Sequence, residues 1–243
     1  MKILNGLVLA VLLFSLSSFA QKGPKTKAPE KPVVVVDNSP LDQAKATITA
    51  HGGDKLKDMR SLVLRGSVDI TGAFSMVIPA SFMLVTSGDK YVFELNNPFQ
   101  PLKQISDGKQ TFSSGYELPP VTSLGFPLFQ KVGQTGYVVA ALPEGKKNKK
   151  GFRVTNPEGF YTDFFVDEKT NQLKSYESAY EVDGRLVTTS VEIDEFQTVE
   201  GVIVPKKYSQ RFDLGQMTAY ANFKTKDILV NSQVDDGLFV IPK

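Results

Sequence analysis

The sequence predicts a mainly β (α+β) fold built on one large antiparallel sheet, and three observations lead there. Residues 61–95 hold three runs in which apolar and polar residues alternate with period 2, the pattern of half-buried strands. Beyond residue 150, six more strand-like runs follow one another with turn segments at hairpin spacing, the signature of an antiparallel meander. Helical patterning is confined to a short stretch before the first strand and a broken one in the middle.

The chain begins with Lys2, an apolar run to Leu16 and then Ser17-Ser18-Phe19-Ala20. This is the pattern of a secretory signal peptide, with cleavage expected after Ala20, and it predicts an exported, periplasmic protein. The apolar run is shorter than the ~20 residues that a membrane span needs. Residues 21–38 are rich in Lys and Pro, which favours an extended solvated linker. The folded domain is therefore expected over 39–243, large enough for one core. Residues 1–37 hold five lysines and two acids out of 28 basic and 26 acidic residues in the chain. The remainder thus carries 23 basic and 24 acidic residues, a net charge of −1. A near-neutral domain lacks the electrostatic footprint of a nucleic-acid binder. No cysteine is present, so packing rather than disulfides must hold the fold.

Ser39-Pro40-Leu41-Asp42 is a helix start, with a capping serine, Pro at the first helical position and an acid in the first turn. The helix should run to His51 and stop at Gly52-Gly53, with another short turn of helix over 54–60. His51 then stands at a helix C-terminus, where a positive charge would interact favourably with the helix dipole. In the first strand Leu62, Leu64, Val68 and Ile70 share a face; in the second Phe74, Met76, Ile78, Ala80, Phe82 and Leu84 do. In the third, Tyr91, Phe93 and Leu95 alternate with Lys90, Val92 and Glu94. Thr71-Gly72 and Ser87-Gly88-Asp89 are the joints, and Asp107-Gly108-Lys109 predicts a further hairpin over 103–112. Alternation then fails. Over 116–142 the apolar residues Leu124, Phe126, Leu128, Phe129 and Val132 bunch together, while Gly125 and Pro127 argue against one continuous helix. The expectation is a broken helical or loop segment laid across the apolar sheet face. Residues 144–151, EGKKNKKG, read as a charged hairpin tip. Strands are expected at 151–156, 160–166, 173–182, 185–196, 202–214 and 216–230, with a short turn at Asp235-Asp236-Gly237 before the end.

Chemistry-bearing motifs are few. With no cysteine and one histidine, zinc sites and Cys–His pairs are excluded, and no phosphate loop or nucleophile elbow is present. A non-enzyme without cofactor or metal is the expectation. The positive signal is apolar: Phe74, Met76, Phe82, Met83 and Phe93 suit a flexible acyl ligand, because Phe and Met adapt their shape. From alternation alone an ordinary closed core accounts for them better.

Three stretches add a resemblance: the helix–Gly-Gly–DKLKDMRSLVLRGSV entry, FYTDFFVDEKTNQLKSYESAYEVDGR, and GVIVPKKYSQRF followed by ILVNSQVDDGLFVIPK. Over 39–243 the order of parts resembles the LolA/LolB-like superfamily of periplasmic lipoprotein carriers. The resemblance implies an unclosed antiparallel half-barrel whose concave face is covered by helices, with an apolar cavity between them. The strand comparable to the one carrying an Arg-Pro pair in LolA proteins reads VIPASFMLV here, with Pro79 but no arginine beside it. On this reading Leu62, Leu64, Val68, Phe74, Met76, Phe82, Leu84, Tyr91 and Phe93 include the lining. Leu124, Phe126, Leu128 and Phe129 form a cover that moves as ligand enters. The expected partners of this monomer are lipid or lipoprotein acyl chains and an envelope membrane protein. The alternative is a protein–protein module, a sensor or scaffold of the same fold.

Overall fold

The computed structural model of the chain describes residues 39–72, 76–99, 101–114, 120–182, 184–213 and 218–242. The expected signal peptide and linker lie outside them. The described residues contain one twelve-stranded antiparallel sheet with three short α-helices. The helices are α1 (Ser39–Ala50), α2 (Asp54–Lys57) and α3 (Gly125–Gln130). The strands are β1 (Ser61–Thr71), β2 (Val77–Ser87), β3 (Lys90–Asn96), β4 (Leu102–Ser106), β5 (Thr111–Ser113) and β6 (Val138–Ala141). They continue with β7 (Gly151–Thr155), β8 (Tyr161–Val166), β9 (Leu173–Val182), β10 (Arg185–Val199), β11 (Val202–Asp213) and β12 (Thr218–Val230).

The sheet order is β5-β4-β3-β2-β1-β12-β11-β10-β9-β8-β7-β6. Hairpins carry the chain outward from β1 to one edge at β5. It then crosses to the opposite edge at β6 and returns by hairpins until β12 pairs with β1. β5 and β6 do not pair, so the sheet is an unclosed half-barrel. This topology explains why residues 120–137 lie across the molecule between its two edges. Their cluster of Leu and Phe side chains selects the apolar inner face for the crossing.

Register separates the two faces. Leu64, Leu84, Phe93 and Gln104 stand opposite one another across β1–β4 on the inner face. Val68, Phe223, Tyr208 and Ile193 continue that face across β1, β12, β11 and β10. Leu64, Leu84, Val68, Phe223, Tyr208 and Ile193 join α1, α3 and Phe152, Phe164 and Val204 in the main core. One position along, Val63, Val85, Val92, Ile105 and Phe112 form a row on the outer face. That row makes a second, smaller core under Val234, Phe239 and Ile241. The C-terminal turn thus acts as a strap over the outer face, through a 3-10 turn at Asp236–Phe239 that opens on an Asp235 side chain accepting from Gly237 N–H.

Two local expectations need correction. Val138–Ala141, read as part of the irregular stretch, is an edge strand; four residues are too few for alternation to show. The lysine-rich segment forms the tip of the β6–β7 hairpin, as expected. Lys146 Nζ reaches Asp163 Oδ2 at 2.9 Å and Glu177 Oε2 at 2.5 Å, folding the segment along the outer face. Arg153 adds a two-pronged contact to the same Asp163 at 2.6 and 2.9 Å. Burial pushes the Asp163 carboxyl up, but the Arg153 and Lys146 hydrogen bonds outweigh it and hold the group below the usual carboxylate range.

His51 is the second correction. Its ring is buried rather than charged at a helix end. Nδ1–H donates to the Ile203 carbonyl at 2.8 Å, and Nε2 accepts from the Leu173 backbone N–H at 3.0 Å. That pair of roles requires the neutral imidazole. Phe126, Phe129 and Phe196 surround it edge-on at 5.1–5.9 Å. Gly52 makes the approach possible: its φ is +117° and an added Cβ would lie 2.5 Å from the Gly201 carbonyl oxygen. His51 therefore ties the end of α1 to β9, β11 and α3. Burial lowers its pKa, more than the Ile203 hydrogen bond raises it. The folded value is depressed, so the neutral ring's contribution is complete above the unfolded pKa of about 6.5 and is lost as pH falls below it. Urea unfolding at stepped pH should show stability declining by up to about 1.4 kcal/mol per pH unit below pH 6.5. In His51→Gln, less stable overall, the slope between pH 6.5 and 5 should flatten.

Candidate ligand-binding site

Between the inner face and the crossing segment lies a cavity of about 320 Å³. Its floor is built from strands on both sides of β1. Leu62 and Leu64 come from β1, Leu84 from β2, Phe93 and Leu95 from β3; Tyr208, Phe212, Ala221 and Phe223 come from β11 and β12. Val121, Leu124, Gly125, Phe126 and Pro127 make the roof. Alternation dictates this wall: with period 2, every second residue of each strand points inward, and inward positions are apolar along most of the sheet.

The roof is fixed by local chemistry. Residues 121–123 form a 3-10 turn, Leu124 is extended, and α3 begins at Gly125. Pro127 falls in the first turn of α3, where a missing N–H costs nothing, so the segment is broken without being disordered into a loop. Gly125 has φ +60° and packs its Cα against the Tyr176 ring; a Cβ there would sit 2.8 Å from that ring. Its N–H donates to Thr162 Oγ1 at 3.1 Å, and Thr162 in turn bonds Ser178 Oγ at 2.8 Å. Phe126 turns one face to the cavity, while Leu128 and Phe129 point away into the core. Phe129 there meets the rings of Phe126, Phe152, Phe164 and His51 at 5.5–6.3 Å.

Of the residues expected to line an acyl site, Leu62, Leu64, Leu84, Phe93, Leu124 and Phe126 meet around the cavity. Val68 and Phe82 belong to the adjoining core, where Phe82 packs edge-to-face on Phe223 at 5.0 Å. Tyr91 is fully buried away from the lining. Met76 precedes β2 and is 55% exposed, because the pairing of β1 with β2 ends at Val77. Phe74 lies outside the described residues. Sequence reasoning missed the contribution of the second half: Tyr176, Ser178 and Tyr180 on β9, Thr189 on β10, and Tyr208, Gln210 and Phe212 on β11. Their signal was present as period-2 alternation in those strands.

Electrostatically the cavity is neutral. Among the described residues that line it there is no Asp, Glu, Lys, Arg or His. Burial pushes the Tyr176 phenol well above its ordinary range, and does the same to Tyr208 with the neighbouring Tyr176 adding to it. Both hydroxyls are uncharged. Tyr208 stacks on Phe223, 4.7 Å between centroids. The remaining polar lining is amide or hydroxyl, including a Gln210 Nε2–H donating to Thr189 Oγ1 at 2.9 Å. Such a surface takes up apolar chains and neutral polar groups.

Against known proteins, no family model matches the sequence, and no curated protein matches it significantly. Solved structures do. A DUF1329 family protein from Desulfovibrio piger is 11% identical, with TM-score 0.49 over 83% of this chain and 97% of its own. A LolA superfamily protein from Nitrosomonas europaea is also 11% identical, with TM-score 0.50 over 80% of this chain and 97% of its own. With the open twelve-stranded sheet, the second likeness shows that this chain has the LolA-like fold, as the three sequence stretches implied.

Proposed function

We propose that this chain is an exported, monomeric carrier that holds an acyl chain of a lipid or lipoprotein between its half-barrel and the crossing segment. The observation that carries this reading is the neutral, largely apolar cavity roofed by residues 121–127. A closed core would leave no such space. Its volume is at the lower end of the roughly 300–1,000 Å³ typical of ligand pockets. The signal-peptide pattern of residues 1–20 supports export to the periplasm, where an envelope membrane protein would supply or receive the cargo. No catalytic step is assigned to the cavity.

Each methylene moved from water into the cavity contributes about 0.8 kcal/mol, whereas association costs about 4–15 kcal/mol. Single chains should therefore bind weakly, up to micromolar affinity, and multi-acyl lipids more tightly. The test is mass spectrometry of an organic extract from protein purified without detergent. Co-purifying lipid or acylated peptide, lost when the cavity is blocked, is the expected result. A lipid-free protein that also fails to bind any added acyl amphiphile would transfer the fold to the alternative role, a protein–protein sensor or scaffold.

A further inference from the structure

Resting on the carrier reading, we infer that the cavity selects chains whose head is an uncharged ester or amide over fatty-acid anions, with Thr189 and Gln210 as the residues that read the head. The described lining offers no cation to a carboxylate and no anion to an ammonium. A buried charge without a partner is strongly disfavoured, whereas a neutral carbonyl needs only one donor. Among the neutral donors of the wall, one pair is joined across neighbouring strands. Gln210 on β11 and Thr189 on β10 both face the cavity and are joined by Gln210 Nε2–H donating to Thr189 Oγ1 at 2.9 Å. Having accepted there, the Thr189 hydroxyl still has its own proton to donate, and the Gln210 amide has a second N–H and its carbonyl oxygen. The pair can thus donate to an ester or amide carbonyl, and Gln210 can accept from an amide N–H or a glycerol hydroxyl. Around the pair stand Phe212, Ala221 and Phe223, which suit the chain attached to such a head. The geometry is that of a largely apolar cavity with a neutral polar anchor at this pair.

The experiment compares three probes of equal chain length, 1-monolauroylglycerol, lauramide and laurate, each displacing a neutral naphthylamine dye from the full mature protein. At about pH 8 the laurate head is ionised. The ester and the amide should displace the dye at concentrations at least about tenfold lower than laurate. Thr189→Val and Gln210→Leu, checked for native circular dichroism, should weaken the ester and amide by about five- to tenfold and leave laurate unchanged. Laurate binding as tightly as its glycerol ester would overturn the inference without harming the carrier reading, since the head would then sit outside in solvent. Equal weakening of all three probes in the variants would overturn the role of Thr189 and Gln210. If none of the probes displaces the dye, the carrier reading itself fails and this inference with it.

Discussion

Phe129→Ala is expected to cost about 3–5 kcal/mol in urea unfolding, the largest stability loss among single changes near the cavity. Phe129 is fully buried and lies where α3, His51 and the β7–β8 pair converge. Removing the ring leaves a cavity that rigid strands on one side cannot collapse to fill. It also unpins α3 from the core, so the roof formed by Leu124 and Phe126 loses its support. Acyl affinity should therefore fall together with stability. Phe126→Ala separates the two effects. That ring also faces the cavity, and its loss should reduce binding more than it reduces stability.

Leu84→Asp should abolish acyl binding, by more than about a hundredfold, at a stability cost of roughly 1–3 kcal/mol. Leu84 stands mid-floor, between Leu64 on β1 and Phe93 on β3, and is only partly buried, with the cavity above it. A carboxylate there meets no cation among the described lining residues and must hold water in the space a chain would take. Ser81→Asp, three positions earlier, is exposed on the opposite face and should leave both binding and stability as they are. Dye displacement and urea unfolding on the same samples distinguish the outcomes. Unchanged binding in a folded Leu84→Asp protein would remove the floor of β1–β3 from the site.

Much of the fold was legible because period-2 alternation is a local property. β9 appears over the same residues as its alternation, and β7, β8 and β10–β12 differ from their expected ends by one to three residues. The hairpin at Asp107-Gly108 formed where its turn chemistry placed it, with Asp107 Oδ1 accepting from Lys109 and Gln110 N–H. What alternation cannot give is which strands meet. The pairing of β1 with β12 brings Val68 to Phe223, 155 residues apart, and so makes the far strands half of the cavity wall. That is why Tyr208, Gln210 and Phe212 went unread while Phe82 and Tyr91, equally apolar in pattern, turned out to be core beside the cavity. An inward-pointing residue lines a cavity or fills a core according to what crosses above it, and the crossing segment's path is a tertiary property. His51 illustrates the same limit. A helix end was readable, but the Ile203 and Leu173 backbone groups that make its ring neutral come from elements more than 120 residues away.

The central claim, that an acyl chain occupies the space between half-barrel and crossing segment, can be tested by contact quenching. The chain contains no tryptophan, so one introduced residue reports alone. Phe93→Trp places an indole on the cavity floor, and Phe112→Trp places one in the outer-face row under the C-terminal strap. A monoacylglycerol carrying a dibrominated chain quenches only an indole it touches. Saturable quenching of Trp emission in the Phe93 variant, with none in the Phe112 variant, is the predicted result. Unquenched emission from the Phe93 variant while the lipid binds, or equal quenching in both, would contradict it.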